Sequence, residues 1–102
     1  MSEAGCTLDA LTNDQVGERI RWHRGIEGLT QSEYASEIGA KRAVLSLWEN
    51  GASRLSLDGA VAIKKRWGLS LDFLYFSEDH SLPLSLHRLW RSNVAKGSAI
   101  HE

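Results

Sequence analysis

Cysteine and proline are scarce in this chain, with one of each among 102 residues. The lone Cys6 excludes an internal disulfide, and a reducing, cytoplasmic location is the simplest expectation. No apolar run approaches the roughly 18 residues of a membrane helix. No charged segment followed by an apolar run opens the chain either, so we expect no membrane anchor and no signal peptide. The length of 102 residues predicts one domain that can bury a core without metals or disulfides, and the hydrophobic content of 42% favours a folded, helix-rich chain.

Positive and negative charges nearly cancel, with a net charge of -1, but they are distributed unevenly along the chain. Residues 1–18 carry four acidic and no basic side chains, whereas residues 19–67 carry nine basic against five acidic ones. Residues 68–102 carry three basic and four acidic side chains. The basic excess therefore lies in the middle of the chain, as in many nucleic-acid-binding domains, although an excess this small is weak support.

Catalytic signatures are also missing. The four histidines have neither the spacing of metal ligands nor a carboxylate partner that the sequence places near them; they are His23, His80, His87 and His101. Cys6 has no neighbouring basic group to activate its thiol. We therefore expect neither an enzyme nor a protein that holds a metal or cofactor.

Capping residues and apolar periodicity predict an all-α domain of five helices over residues 12–78. Residues 1–11 are interpreted as a flexible arm, and residues 79–102 as a C-terminal extension with one or two further helical turns and a frayed end. The five helices are expected at about residues 12–24, 30–38, 41–50, 57–67 and 71–76. Glycines follow most of these segments, as is typical of helix ends.

The most informative segment runs from Thr30 to Gly51. Thr30 and Glu33 have the spacing of a capping box that opens one short helix. Gly39 is suited to the left-handed turn that ends this helix, and the small Ala35 allows a second helix to cross closely. The second helix is expected to bury three apolar side chains, Val44, Leu45 and Trp48. This arrangement is typical of a helix-turn-helix, whose second helix enters the DNA major groove.

In order and spacing these segments resemble the Xre family of helix-turn-helix regulators, which includes the lambda and Cro repressors. The resemblance covers about residues 14–76 and depends on three motifs, Arg24-x-x-x-Gly28-Leu29-Thr30-Gln31-Ser32-Glu33, Trp48-Glu49-Asn50-Gly51 and Gly68-Leu69-Ser70-Leu71-Asp72. It implies a five-helix, lambda repressor-like domain that binds double-stranded DNA. It further implies a sequence-specific transcription regulator of bacterial or phage type, a homodimeric repressor on a palindromic operator, with no cofactor.

The resemblance also implies roles for individual residues. The implied DNA contacts are Gln31, Lys41, Arg42, Ala43, Ser46, Leu47 and Asn50, and Arg54 is placed by the loop after the second helix to touch the adjacent backbone. Arg24 and Glu49 match a pair that ties helix 1 to the end of helix 3. Arg42 suits a guanine edge, and Ala43 and Leu47 suit thymine methyl groups. Two positions depart from the family pattern: Lys41 cannot cap a helix, and Leu47 stands where many members have a polar residue.

Two other functions stay open. An antitoxin of a toxin–antitoxin pair would also bind DNA and would hold a protein partner through its C-terminal segment. A protein-interaction module would use the same fold without DNA, which the apolar Ala43 and Leu47 favour. For a homodimer, Leu82 to Trp90 is the expected interface, because its apolar residues lie outside the predicted five-helix core. Trp22 and Trp90 are candidates for a partner surface.

Overall fold

The computed structural model describes residues 12–101, with side chains through residue 95. Over this range the chain is all-helical, without a strand. The helices are α1 (Asn13–Glu27), α2 (Gln31–Glu37), α3 (Arg42–Glu49), α4 (Leu57–Trp67), α5 (Leu71–Phe76) and α6 (Leu84–His101). None of the described helices is long and apolar enough to span a bilayer. The predicted N-terminal arm, including Cys6, lies outside the described residues.

Hydroxyl side chains begin four of these helices. The Thr12 Oγ1 accepts a hydrogen bond from the backbone N–H of Gln15, 3.2 Å away. Thr30 and Glu33 form the complete capping box, in which each side chain bonds the other residue's backbone N–H. Ser56 and Ser70 cap α4 and α5 in the same way. Because each cap is formed within one turn, these helix starts could be predicted from local sequence.

Two glycines set the helix ends around α2. Gly28, at a φ of 69°, ends α1 three residues later than predicted, because Gly25 stays in the helix. Gly39, at a φ of 70°, turns the chain between α2 and α3, as expected. A left-handed φ is strained for residues with a Cβ, so these glycines fix where the helices stop.

The core lies where α1 crosses α3 and continues toward α5. Gly17 makes the crossing possible, since a Cβ there would lie 2.7 Å from the carbonyl oxygen of Glu49 and still closer to that of Trp48. The apolar side chains buried among the helices are Val16, Ile20, Tyr34, Ala35, Leu45, Trp48, Leu55, Ala60, Ile63, Leu69, Phe73 and Leu74. Of the two helices of the predicted helix-turn-helix, α3 therefore packs directly on α1, and α2 packs on α3.

The C-terminal segment differs from its prediction. The helix α6 continues through residue 101 instead of fraying after a turn or two. Leu82, Leu86 and Trp90 are buried, and the Trp90 ring packs edge-on against Trp22 and Phe73 with centroids 5.0 and 5.1 Å away. The expectation that these apolar residues are surplus to the core is therefore wrong. They close the core of the same chain and are not available as a dimer or partner surface.

Candidate nucleic-acid interface

The helix pair α2 and α3 presents one side of α3 to solvent. At 100° per residue, Leu45, Trp48 and Glu49 point in one direction and are all buried. Ala43 and Leu47 lie on the opposite side of the helix and are exposed. An α-helix with its side chains is about 10–12 Å in diameter, which suits the roughly 12 Å width of a DNA major groove, and the eight residues of α3 form about two turns.

The structure places the predicted contact residues on or next to this exposed side. Ser46 and Gln31 are half-buried, and the exposed ones are Lys41, Arg42, Ala43, Leu47, Asn50 and Arg54. The helix begins at Arg42, one residue later than predicted, and its N-cap Lys41 makes no side-chain capping bond. Within the described part of the chain, neither Lys41 nor Arg54 has an ion-pair partner. Their charges are therefore free to bind an anion.

A chain of hydrogen bonds links Arg42 to the buried end of α3. The Glu49 carboxylate is buried and accepts bonds from Nε and Nη2 of Arg24, at 2.7 and 3.1 Å. It also accepts a bond from Nε2 of Gln31 at 3.1 Å. Gln31 Oε1 in turn accepts a bond from Nη1 of Arg42 at 3.3 Å. The predicted pair of Arg24 and Glu49 is thus present, and it belongs to a network that joins α1, α2 and α3.

This network fixes the orientation of the Gln31 amide. Its nitrogen must face Glu49, because a carboxylate only accepts hydrogen bonds. Its oxygen therefore faces outward toward Arg42. The bond to Glu49 raises the pKa of Arg24, against the opposing effect of burial. Gln31 consequently restrains the Arg42 guanidinium at the first turn of α3, in addition to any contact with a ligand.

Val44 was predicted to lie in the core, and this prediction is wrong. It is 36% exposed, and Leu47 beside it is 43% exposed. Around the helix axis, Val44 lies about 100° from Leu45, whereas Trp48, one turn later, lies only about 60° from it. Ala43, Val44 and Leu47 are all exposed and occupy adjoining positions on the surface of α3, and we call these three residues the apolar patch.

An open cavity of about 230 Å³ adjoins the apolar patch, between α3 and the start of α4. Val44 and Trp48 contribute its apolar wall, and Lys41 and Asp58 are among its polar lining residues. The cavity explains why Val44 is exposed: α4 approaches α3 at Gly59, against the Trp48 ring, and leaves Val44 uncovered.

Sequence reasoning missed the buried polar residues under this interface. His23 is fully buried, and its Nδ1 lies 2.8 Å from the Tyr34 hydroxyl, while its Nε2 lies 3.1 Å from Glu27. Burial lowers the pKa of His23, and Glu27 opposes this effect. The Arg19 Nε donates to the Leu74 carbonyl at 2.9 Å, and burial lowers the pKa of Arg19 to about 10. The expectation that the histidines lack a carboxylate partner is wrong for His23, because Glu27 lies four residues later on the same face of α1.

The described residues contain no group of three or more histidine, cysteine or acidic side chains arranged to hold a metal ion. Compared with known proteins, the chain matches no protein-family model, no curated protein and no solved structure. Any function must therefore be inferred from the interface itself.

Proposed function

We propose that this chain is a sequence-specific transcription regulator that binds double-stranded DNA through α2 and α3. The proposed fold is the lambda repressor-like one, and the proposed relationship is to the Xre family. The observation that carries the proposal is the exposed side of α3 with Ala43 and Leu47, which stands opposite the buried Leu45, Trp48 and Glu49. The exposed cations Lys41 and Arg42 lie at the start of this helix. An α-helix exposed in this way fits the major groove.

Arg42 is the proposed base-reading residue. A guanidinium can bond O6 and N7 of one guanine, which contributes about 1–3 kcal/mol of discrimination. The Gln31 amide oxygen accepts a hydrogen bond from Arg42, and the Gln31 amide nitrogen donates one to Glu49. Restraint before binding favours a specific contact, because ordering a free long side chain costs about 0.5–1.5 kcal/mol.

Lys41, Asn50 and Arg54 are the proposed phosphate contacts at the two ends of α3. Lys41 precedes its first turn, and Arg54 lies in the loop beyond its last turn. The Asn50 Oδ1 accepts a bond from the N–H of Ala52 at 3.1 Å, which shapes the start of that loop. Contacts at both ends of the helix would set its register in the groove without reading sequence.

A homodimeric repressor on a palindromic operator is the proposed working form. A single module buries about 600–1,000 Å² on DNA, and useful specificity generally requires two half-sites about 34 Å apart. Residues of α6 that remain exposed include Leu84 at 66% and Leu89 at 44%.

Duplex binding and its salt dependence test the proposal. Random-sequence duplexes are selected for binding, and the affinity of the best is measured by fluorescence anisotropy between 50 and 200 mM salt. We expect log affinity to fall linearly with log salt, by about 0.9 for each phosphate neutralised. Lys41→Gln should weaken all duplexes alike and make the slope shallower by about 1, whereas Arg42→Gln should relax preference at one base pair per half-site.

Arg88→Gln is the matched control, since it removes one exposed positive charge from α6 and should leave the affinity nearly unchanged. Absence of duplex binding, or an affinity that does not respond to salt, would exclude the proposal. That result would favour a protein-interaction module instead, for which the exposure of Val44 and Leu47 is the supporting observation.

A further inference from the structure

We propose that the apolar patch, Ala43, Val44 and Leu47, recognises the C5-methyl groups of pyrimidines in the major groove. The preferred half-site would then place such methyl groups next to the guanine read by Arg42. This inference rests on the proposed function and specifies what the interface selects.

The position of the patch on α3 is the first argument. Ala43 and Leu47 are one turn apart and point away from the core, and Val44 flanks Leu47 at the i, i+3 spacing. Val44 and Leu47 are 36% and 43% exposed, so a ligand can reach both side chains from solvent. A helix lying in the groove along this side would press the patch against base edges.

The chemistry of the patch is the second argument. None of its three side chains carries a donor or an acceptor, so they cannot bond the polar groups of the groove. Covering the N4 amine of cytosine or O6 of guanine would leave those groups without water or a partner, which is costly. The C5-methyl group is the apolar feature of a base edge in the major groove. Thymine supplies this group, and 5-methylcytosine supplies the same one.

The charges around the patch favour DNA as its occupant over an apolar protein surface. Lys41 and Arg42 lie at its N-terminal end and are exposed, and Arg54 lies in the loop beyond its C-terminal end. Asp58 lines the cavity beside Val44 and offsets one of these three positive charges. An apolar partner covering the patch would desolvate these cations, and two copies facing each other would bring like charges together. A polyanion with methyl groups in its groove complements both features.

Removal of single methyl groups tests the inference. In the tightest selected duplex, each thymine is replaced in turn by deoxyuridine, which lacks only the methyl group. We expect at least one replacement per half-site to weaken binding by about 4-fold, the value of one buried methyl group. At each position where thymine is preferred, the affinities of a duplex with cytosine and of one with 5-methylcytosine are then compared. Tighter binding of the 5-methylcytosine duplex would show that the patch binds the methyl group on either base. Equal binding of the two duplexes would show that it binds this group on thymine alone.

Two leucine variants identify the side chain responsible. Leu47→Ala should reduce the deoxyuridine effect, whereas Leu89→Ala, an equally exposed leucine on α6, should leave it at full size. Equal affinity for thymine and deoxyuridine at every position would overturn the inference while the proposed function stands. Failure of every duplex to bind would overturn both.

Discussion

Gly17→Ala is expected to destabilise the fold at the crossing of α1 and α3. The added Cβ would lie 2.7 Å from the carbonyl oxygen of Glu49 and closer to that of Trp48. Both oxygens belong to the backbone, so neither can rotate away, and the two helices must move apart. Overpacking of this kind costs about 1–3 kcal/mol, sometimes more, while the better helix propensity of alanine returns at most about 1 kcal/mol.

Gly25→Ala is the matched control on the same helix. A Cβ there meets no heavy atom within 4 Å, so this variant gains the propensity without the steric cost. The stability difference between the two variants isolates the steric cost and should be about 1–3 kcal/mol, or at least about 4 °C in Tm. Urea and thermal unfolding followed by circular dichroism measure this difference. Equal stability of the two variants would refute the close crossing.

Two further predictions concern the buried aromatic groups. Because burial lowers the pKa of His23 below that of the unfolded chain, its contribution to stability is complete above about pH 6.5 and is lost as the pH falls below that value. Urea unfolding from pH 8 to pH 5 should therefore show a steeper loss for the wild type than for His23→Gln, and parallel profiles would contradict this. Trp90→Ala should cost about 3–5 kcal/mol by thermal unfolding, because Trp90 completes the core, whereas the exposed Leu84→Ala should cost little. A small loss for Trp90→Ala would mean that α6 is not part of the stable domain.

Local signals account for the part of the fold that could be predicted. The bounds of α4, Leu57–Trp67, and of α5, Leu71–Phe76, agree with the sequence-based expectation. Each is opened by a serine whose hydroxyl bonds a backbone N–H three residues on, and Gly68 ends α4 in a left-handed conformation. Such caps depend on residues within one turn, so no knowledge of the tertiary fold is needed to find them.

Tertiary contacts account for what could not be predicted. Val44 has the spacing of a core residue, but its burial depends on where α4 passes, and Gly59 brings α4 against Trp48 instead. Trp90 looked surplus because the groove it fills, between Trp22 and Phe73, exists only after the helices pack. At the candidate site, the exposure of Ala43 and Leu47 agrees with the positions that the resemblance implies. The restraint on Arg42 could not be predicted, because it passes through side chains on three helices.

The buried Glu49 carboxylate links the stability of this domain to its recognition surface. A buried charge is costly unless it is paired and hydrogen-bonded, so Arg24 and Gln31 must stay in place for the fold to tolerate it. Gln31 can meet this demand in only one amide orientation, and that orientation presents its oxygen to Arg42. The requirement to satisfy a core carboxylate therefore fixes the amide oxygen that the Arg42 guanidinium contacts, 3.3 Å away, at the start of α3. It follows that substitutions at Glu49 should alter base preference at the Arg42 position even where the domain remains folded, because the restraint is lost while the arginine remains.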